Sequence, residues 1–361
     1  MDGDVTPHKN IGSKLWIRVL LLILLGSVAL FTAAEMYQRA QLWRHRGISI
    51  LSNEQPGPFR FDDKLGWAPR ESYKATYTRT TLGGVSYGVR YSSDASGLRD
   101  CSTNGKGKKI LVVGDSHTHA LEVSDDKPYP CVLARDLDAS AVAYGAGGYG
   151  TLQERMVLER FVPQVQPDLI VVQAGYDDFM NNEVDLEKKS FINNHNMRRP
   201  YWRSGQIEYL IPSHFPLWFE PARSHSRVFS NWYNDLLQKK SEKERSVEDD
   251  IAKSGAGYPG FDRATSETRE LFAQIKAVSA GRGLVVAASD LKEPYHSAFK
   301  KMFQELDILM IEDGAVAFND ALARGVDVYY RDSIHFNEAG HQIFGDALAK
   351  AILAHPELHF K

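Results

Sequence analysis

Ser116, Asp332 and His335 have the residue types and the order that nucleophilic catalysis by a serine requires. A serine hydroxyl is a weak nucleophile at neutral pH. It needs a base to take its proton, and the base needs a carboxylate to hold its ring. Asp332 and His335 stand three residues apart, so a single loop supplies both groups. Ser116 follows Lys109-Ile110-Leu111-Val112-Val113-Gly114-Asp115, an apolar run stopped by a glycine. Such a run reads as a central parallel strand covered on both faces. A serine just past its end sits at the carboxyl edge of the sheet, where open α/β sheets bind ligands. Two more loops converge on the same edge: the glycine cluster Tyr144-Gly145-Ala146-Gly147-Gly148-Tyr149-Gly150, whose backbone N–H groups could stabilise an oxyanion, and Gly175-Tyr176-Asp177-Asp178.

These loops need a scaffold that ends several strands at one rim. After residue 109 the pattern alternates strand and helix, which predicts a parallel sheet. Strands are expected at 109–113, 139–144, 169–174, 284–288 and 308–311. Helices are expected at 129–137, 152–165, 266–280, 295–306, 315–323 and 337–355. Thr151 reads as the cap of the 152–165 helix, with Glu154 in capping-box position. Residues 179–263 break the rhythm and read as a partly helical insertion at the carboxyl edge. Its aromatic residues Tyr201, Trp202, Trp218, Phe219 and Trp232 read as insertion core, with sugar stacking or a membrane interface as the alternatives. Between 59 and 91, alternating residues predict short antiparallel strands. His117 and His119 read as loop residues rather than metal ligands, and His341 as a hydrogen-bonded structural histidine. Asp115 reads as a turn residue and Asp178 as a tie between loops.

The whole chain narrows the class further. It has 361 residues, 43% of them hydrophobic and 25% charged, with a formal net charge of -3. That balance gives no electrostatic reason to expect nucleic acid as a partner. The stretch VLLLILLGSVALFTAA carries no charge, and with 15–18 it reaches the roughly 20 residues that cross a bilayer. We read 1–14 as a cytoplasmic tail, 15–34 as a transmembrane signal anchor, 35–100 as a stalk with a β decoration, and 101–361 as the main domain. A cleaved signal peptide ending at Thr32-Ala33-Ala34 is the alternative. Both place the bulk of the chain on the exported side, periplasmic or extracellular. Cys101 and Cys131 either close a disulfide there or are two unrelated buried residues.

The order of four blocks resembles the SGNH (GDSL-like) hydrolase family, from about residue 94 to the C-terminus. The blocks are Gly114-Asp115-Ser116, the glycine cluster, Gly175-Tyr176-Asp177-Asp178 and Asp332-Ser333-Ile334-His335. The resemblance implies a three-layer α/β/α, flavodoxin-like fold and serine esterase, lipase or O-deacetylase chemistry with neither cofactor nor metal. It makes Ser116 the nucleophile and first oxyanion N–H, Gly148 the second donor, His335 the base and Asp332 its orienter. Gly145 replaces Gly148 if the glycine register slips. Asp177 departs from the pattern, standing where the family has an oxyanion asparagine. An ionised carboxylate donates no hydrogen bond, and losing one donor costs roughly 3 to 4 kcal/mol in the transition state. Asp177→Asn is then expected to raise turnover, unless burial keeps Asp177 protonated. The expected substrate is an acyl ester, with O-acetyl groups on an envelope or secreted polysaccharide as its class. Acetyl transfer to a glycan and a catalytically silent glycan-binding protein are the alternatives.

Overall fold

The computed structural model describes residues 11–46, 49–51, 57–102 and 107–359. Residues 1–10 of the expected tail, 47–48 and 52–56 of the expected stalk, and 103–106 and 360–361 of the expected main domain lie outside them. The chain divides into two units, Met1–Pro56 with Pro216–Lys240, and Gly57–Phe215 with Ser241–Lys361. In the first unit, α1 (Ile11–Arg46) is one unbroken helix. No proline interrupts its ladder, and from Leu15 to Arg44 it is long and apolar enough to cross a membrane.

The second unit opens with two antiparallel hairpins, β1 (Phe59–Asp62) with β2 (Gly66–Pro69) and β3 (Lys74–Thr80) with β4 (Ser86–Ser92). Next comes β5 (Arg99–Ser102), a strand with no counterpart in the sequence reading. The alternating core follows as β6 (Lys109–Gly114), α2 (Ser116–His119), α3 (Tyr129–Asp136), β7 (Ser140–Gly145), α4 (Thr151–Val165) and β8 (Leu169–Ala174). The insertion holds α5 (Asp178–Asn182), α6 (Val184–Glu187) and a hairpin of β9 (Arg199–Arg203) and β10 (Gln206–Leu210). Its α7 (Glu220–His225) and most of α8 (Arg227–Ser241) fall in the first unit. The core resumes through α9 (Val247–Ser254), α10 (Phe261–Val278), β11 (Gly283–Ala288), α11 (Tyr295–Leu306), β12 (Leu309–Ile311), α12 (Asp313–Ala323) and α13 (Glu338–Ala354).

Two local expectations change. Thr151 is the first helical residue of α4 and Gly150 is its cap, with the Gly150 N–H donating to Gln153 Oε1 at 3.2 Å. The Thr151 hydroxyl instead donates to Asp178 Oδ1 and accepts from Asn182 Nδ2, bonds that no local signal encodes. Helix α10 starts at Phe261, ahead of the expected 266, because Phe261 and Ala264 are both buried in the core.

The sheet order is β12-β11-β8-β6-β7-β5, parallel except for β5, which pairs antiparallel with β7. Successive side chains of a strand face opposite ways, and β6 shows the consequence. Leu111 and Val113 join the core under α4, α10 and α11, while Ile110 and Val112 join the core under α3, α12 and α13. This is the expected three-layer α/β/α fold. The chain leaves β6 toward β7 and returns past it to β8, so the strand order reverses beside β6. Crevices at such reversals bind ligands. Gly114 pairs with Gly145, and Ala174 with Ala288, so the loops after β6, β7, β8 and β11 open on one rim. A disulfide between Cys101 and Cys131 ties β5 to α3.

Candidate active site

Ser116 is the first residue of α2 and is partly exposed. Its turn is fixed by buried polar groups. Asp115 Oδ1 accepts from the His117 N–H at 2.7 Å, so Asp115 caps the turn as expected. Gln173 of β8 accepts from the Asp115 N–H and from the Thr118 hydroxyl, both at 3.2 Å. Arg99 of β5, itself buried, donates to the carbonyls of His119 and Ala120 where α2 ends. A short helix held only by its own bonds would fray; here both ends are tied to the sheet.

Asp332 and His335 meet. Asp332 Oδ2 lies 2.5 Å from His335 Nδ1, and Asp332 Oδ1 accepts the backbone N–H groups of Ile334 and His335 at 2.9 Å. A carboxylate accepting three hydrogen bonds favours its charged form. Burial works against that form, but the bonds from His335 and Ile334 win and hold Asp332 at about 2. Burial also pulls the His335 imidazole down. The Asp332 bond, with the charges of Glu122 and Asp115, pushes it up to about 9. The Tyr330 N–H donates to the His335 carbonyl at 2.8 Å, closing the loop as a tight turn. The loop is fastened to β3 and the turn after it by Arg331 N–H to Thr80 O, Leu82 N–H to Tyr329 O and Gly83 N–H to Asp327 Oδ2.

The loop reaches the nucleophile turn through His117. Its Nε2 donates to the Ile334 carbonyl at 3.2 Å, and its ring centroid is 5.7 Å from that of His335. The structure thus brings Asp332 and His335 beside the residue that follows Ser116. No hydrogen bond joins Ser116 Oγ to His335 among the described residues. Catalytic hydrogen bonds are often long before substrate binds.

The glycine loop lies over the same turn. A Cβ on Gly147 would stand 3.9 Å from Ser116 Cβ. Gly148 has φ +71°, in the left-handed region, and a Cβ there would run into the His195 ring. Trp67 of β2 donates its Nε1–H to the Gly147 carbonyl at 3.0 Å. In a trans peptide C=O and N–H point opposite ways, so this bond turns the Gly148 N–H away from Trp67. Gly145, by contrast, is the last residue of β7, and a Cβ there would strike the Asp115 carbonyl. Its lack of a side chain lets the Asp115 turn approach the end of β7.

Asp177 caps α5 and is half-buried. Asn181 Nδ2 donates to its Oδ2 at 3.4 Å. Its Oδ1, Ser289 Oγ and Asp290 Oδ2 surround Gly175, at 2.8, 2.8 and 3.4 Å from the point where a Cβ would stand. Burial, then the charges of Asp115, Asp178 and Asp290, push the Asp177 carboxyl well above the usual carboxylate range. Asp178 is pushed up to about 7, mainly by burial. It ties loops as expected, accepting from the Gly175 N–H and the Thr151 hydroxyl.

Other expectations sort as follows. His119 is buried and bonds the Tyr91 hydroxyl at 2.8 Å, and burial pulls it down to about 3. His341 is buried and accepts the Tyr129 N–H. Tyr201 is fully buried, but Trp218 is 71% and Trp232 46% exposed, so these two are not insertion core. Sequence reasoning missed Trp67, His195 and Arg199. Arg199 is buried, contacts Gln153, pairs with Glu187 at 3.3 Å and places its guanidinium 5.1 Å from the Trp67 ring. Their partners lie tens of residues away, which leaves no local pattern to read.

Solved structures similar to the chain include LAE5, an alpha/beta hydrolase enzyme from the metagenome of Lake Arreo, Spain. It is 14% identical with a TM-score of 0.37, spanning 69% of this chain and 94% of that one. Axe2, an acetylxylan esterase from Geobacillus stearothermophilus, is 17% identical with a TM-score of 0.35, spanning 71% and 96%. A variant of Axe2 is 18% identical with a TM-score of 0.39, spanning 69% and 95%. No curated protein matches the chain. The family model that does match covers residues 112–343, from within β6 to within α13, and the chain belongs to the GDSL-like lipase/acylhydrolase family.

Proposed function

We propose that this chain is a serine esterase that removes small acyl groups through Ser116, His335 and Asp332. The family supports acyl ester hydrolysis. The observation that carries the residue roles is the 2.5 Å contact between Asp332 and His335 in a loop bonded to His117, the neighbour of Ser116. Asp332 fixes the tautomer with the proton on Nδ1, leaving Nε2 to take the Ser116 proton. Ser116 Oγ then attacks the acyl carbonyl. His335 returns the proton to the departing alcohol, and a water activated by His335 releases the acid. The N–H groups of Ser116 and Gly148 receive the oxyanion charge. Asp177, whose carboxyl is pushed well above the usual carboxylate range by burial and the charges of Asp115, Asp178 and Asp290, supplies in its protonated form an O–H where an amide would donate an N–H.

The chain is anchored through α1 with its enzyme unit on the exported side, and its substrate class is O-acetyl esters of an envelope or secreted glycan. The apolar span of α1 supports the first part. The His195 ring packed against Gly148 supports a small acyl group. The test is hydrolysis of a chromogenic acetyl ester together with labelling by a fluorophosphonate. Wild type should turn over and be labelled, while Ser116→Ala should do neither. Equal hydrolysis by both proteins rejects the serine mechanism. A folded wild type that resists the probe points instead to a glycan-binding protein.

A further inference from the structure

We propose that the segment from Leu217 to Trp232 is a foot seated in the headgroup layer of the same bilayer that α1 crosses, which rests on reading α1 as a membrane span. Glu35 is the first charge after the apolar run of α1. Its carboxylate accepts the N–H groups of Arg227 and Val228 at 3.0 Å and the Ser226 hydroxyl at 2.9 Å, so it caps the start of α8. Arg39 donates to the His225 carbonyl at 2.8 Å. Farther along, Asn231 bonds Gln38 at 2.9 Å, and Asn234 shares a cleft with Gln41 and Leu42. Contacts thus step from 35 with 227, to 38 with 231, to 42 with 234. Helix α8 therefore runs alongside α1 in the same direction, away from the apolar run. The residues just before α8 sit level with Glu35, where hydrocarbon gives way to headgroups.

At that level lies a chain of aromatic rings. Phe31 contacts Phe229 with centroids 6.1 Å apart, Phe229 contacts Trp232 at 5.7 Å, Trp232 contacts Phe219 at 6.2 Å, and Phe219 stacks on Trp218 at 3.7 Å. Phe31 is one helical turn before Glu35, about 6 Å into the apolar run. The ring chain is therefore continuous with the lipid-facing surface of α1. Its outer members are open, Leu217 at 59%, Trp218 at 71% and Trp232 at 46% exposure. Indole rings, apolar with one polar N–H, favour the membrane–water interface. Two such rings beside a membrane span fit a lipid surface rather than water.

The test uses the full chain in lipid bilayers. Cys101 and Cys131 are joined and no described cysteine is free, so an introduced thiol takes a single NBD label. The variants are Leu25→Cys in the apolar run, Leu217→Cys in the foot and Asp235→Cys farther up α8. Quenching is compared for lipids with a nitroxide near the headgroup and near the chain end. The label at 217 should be quenched about threefold more by the shallow nitroxide, the label at 25 more by the deep one, and the label at 235 by neither. A label at 217 that behaves like the one at 235 overturns the foot while leaving the span intact. A label at 217 shielded only as protein density rises, whatever the lipid, also overturns it and assigns the patch to a second copy. No quenching at 25 removes span and foot together. Acetyl ester turnover by all three variants checks that they are folded.

Discussion

Replacing Asp177 by asparagine separates two states of one carboxyl. Burial and the neighbouring charges of Asp115, Asp178 and Asp290 push the Asp177 carboxyl well above the usual carboxylate range, and the proposed role requires it to be neutral at pH 7. A neutral acid and an amide have nearly the same shape and both can donate, the acid through one O–H and the amide through its N–H groups. At pH 7 the ratio of kcat/KM for Asp177→Asn over wild type should therefore stay within about threefold of one. Above the pH where Asp177 ionises, wild type loses a donor and gains a negative charge beside the oxyanion. Loss of such a donor costs about 10²- to 10³-fold, so the ratio should climb toward that size. The assay is acetyl ester hydrolysis from about pH 6 to about pH 10, with both proteins in the same buffers. Titration of His335 affects both and cancels in the ratio. Asp177→Ala should fall short of Asp177→Asn by the full factor at every pH. A ratio near 10² already at pH 7 would mean that the carboxylate is ionised and obstructive. A drop of that size in Asp177→Asn would refute the amide-like role and give the acid a task of its own.

Three more outcomes follow from the geometry. His335 must be neutral to act as base, and a group titrating at about 9 is about 1% neutral at pH 7. Wild-type kcat/KM should then rise about tenfold per pH unit below that value, and a limb at or below the ordinary histidine value would detach Asp332 from its role. Trp67→Phe keeps the ring and removes the bond to the Gly147 carbonyl, so kcat should fall about tenfold with little change in KM. Rescue of the rate by any variant lacking a donor at 67 would show the bond to be irrelevant. Reducing the Cys101–Cys131 disulfide, which spans 30 positions, should lower stability by about 3 kcal/mol in a denaturant titration. An unchanged midpoint would mean that the reduced chain is equally constrained.

The core of the fold was legible where burial and period agree. The runs at β6 and β8 are apolar throughout because both faces are covered, and α11 matched its expected ends from residue 295 to 306. β5 was not legible: Arg-Asp-Cys-Ser has no strand signature and is a strand only because β7 offers it an edge. Ser116, Asp332 and His335 were legible as candidate residue types in order. The supports were not, since Trp67 acts on a carbonyl 80 positions away and Arg99 on carbonyls about 20 positions away. The insertion was legible as a break in rhythm, yet nothing local announces that Ser226 and Arg227 bond Glu35, some 190 positions earlier.

The fastening of the 327–336 loop to the β3–β4 hairpin sets where a shortened version of this protein can begin. A clone trimmed to the family boundary near residue 112 would retain every reacting group and still leave Arg331, Tyr329 and Asp327 without their partners at Thr80, Leu82 and Gly83. A version that starts at Gly57 keeps the fastening and the tryptophan bonded to the glycine loop. What looks like upstream ornament is the mount on which the His335 loop is carried.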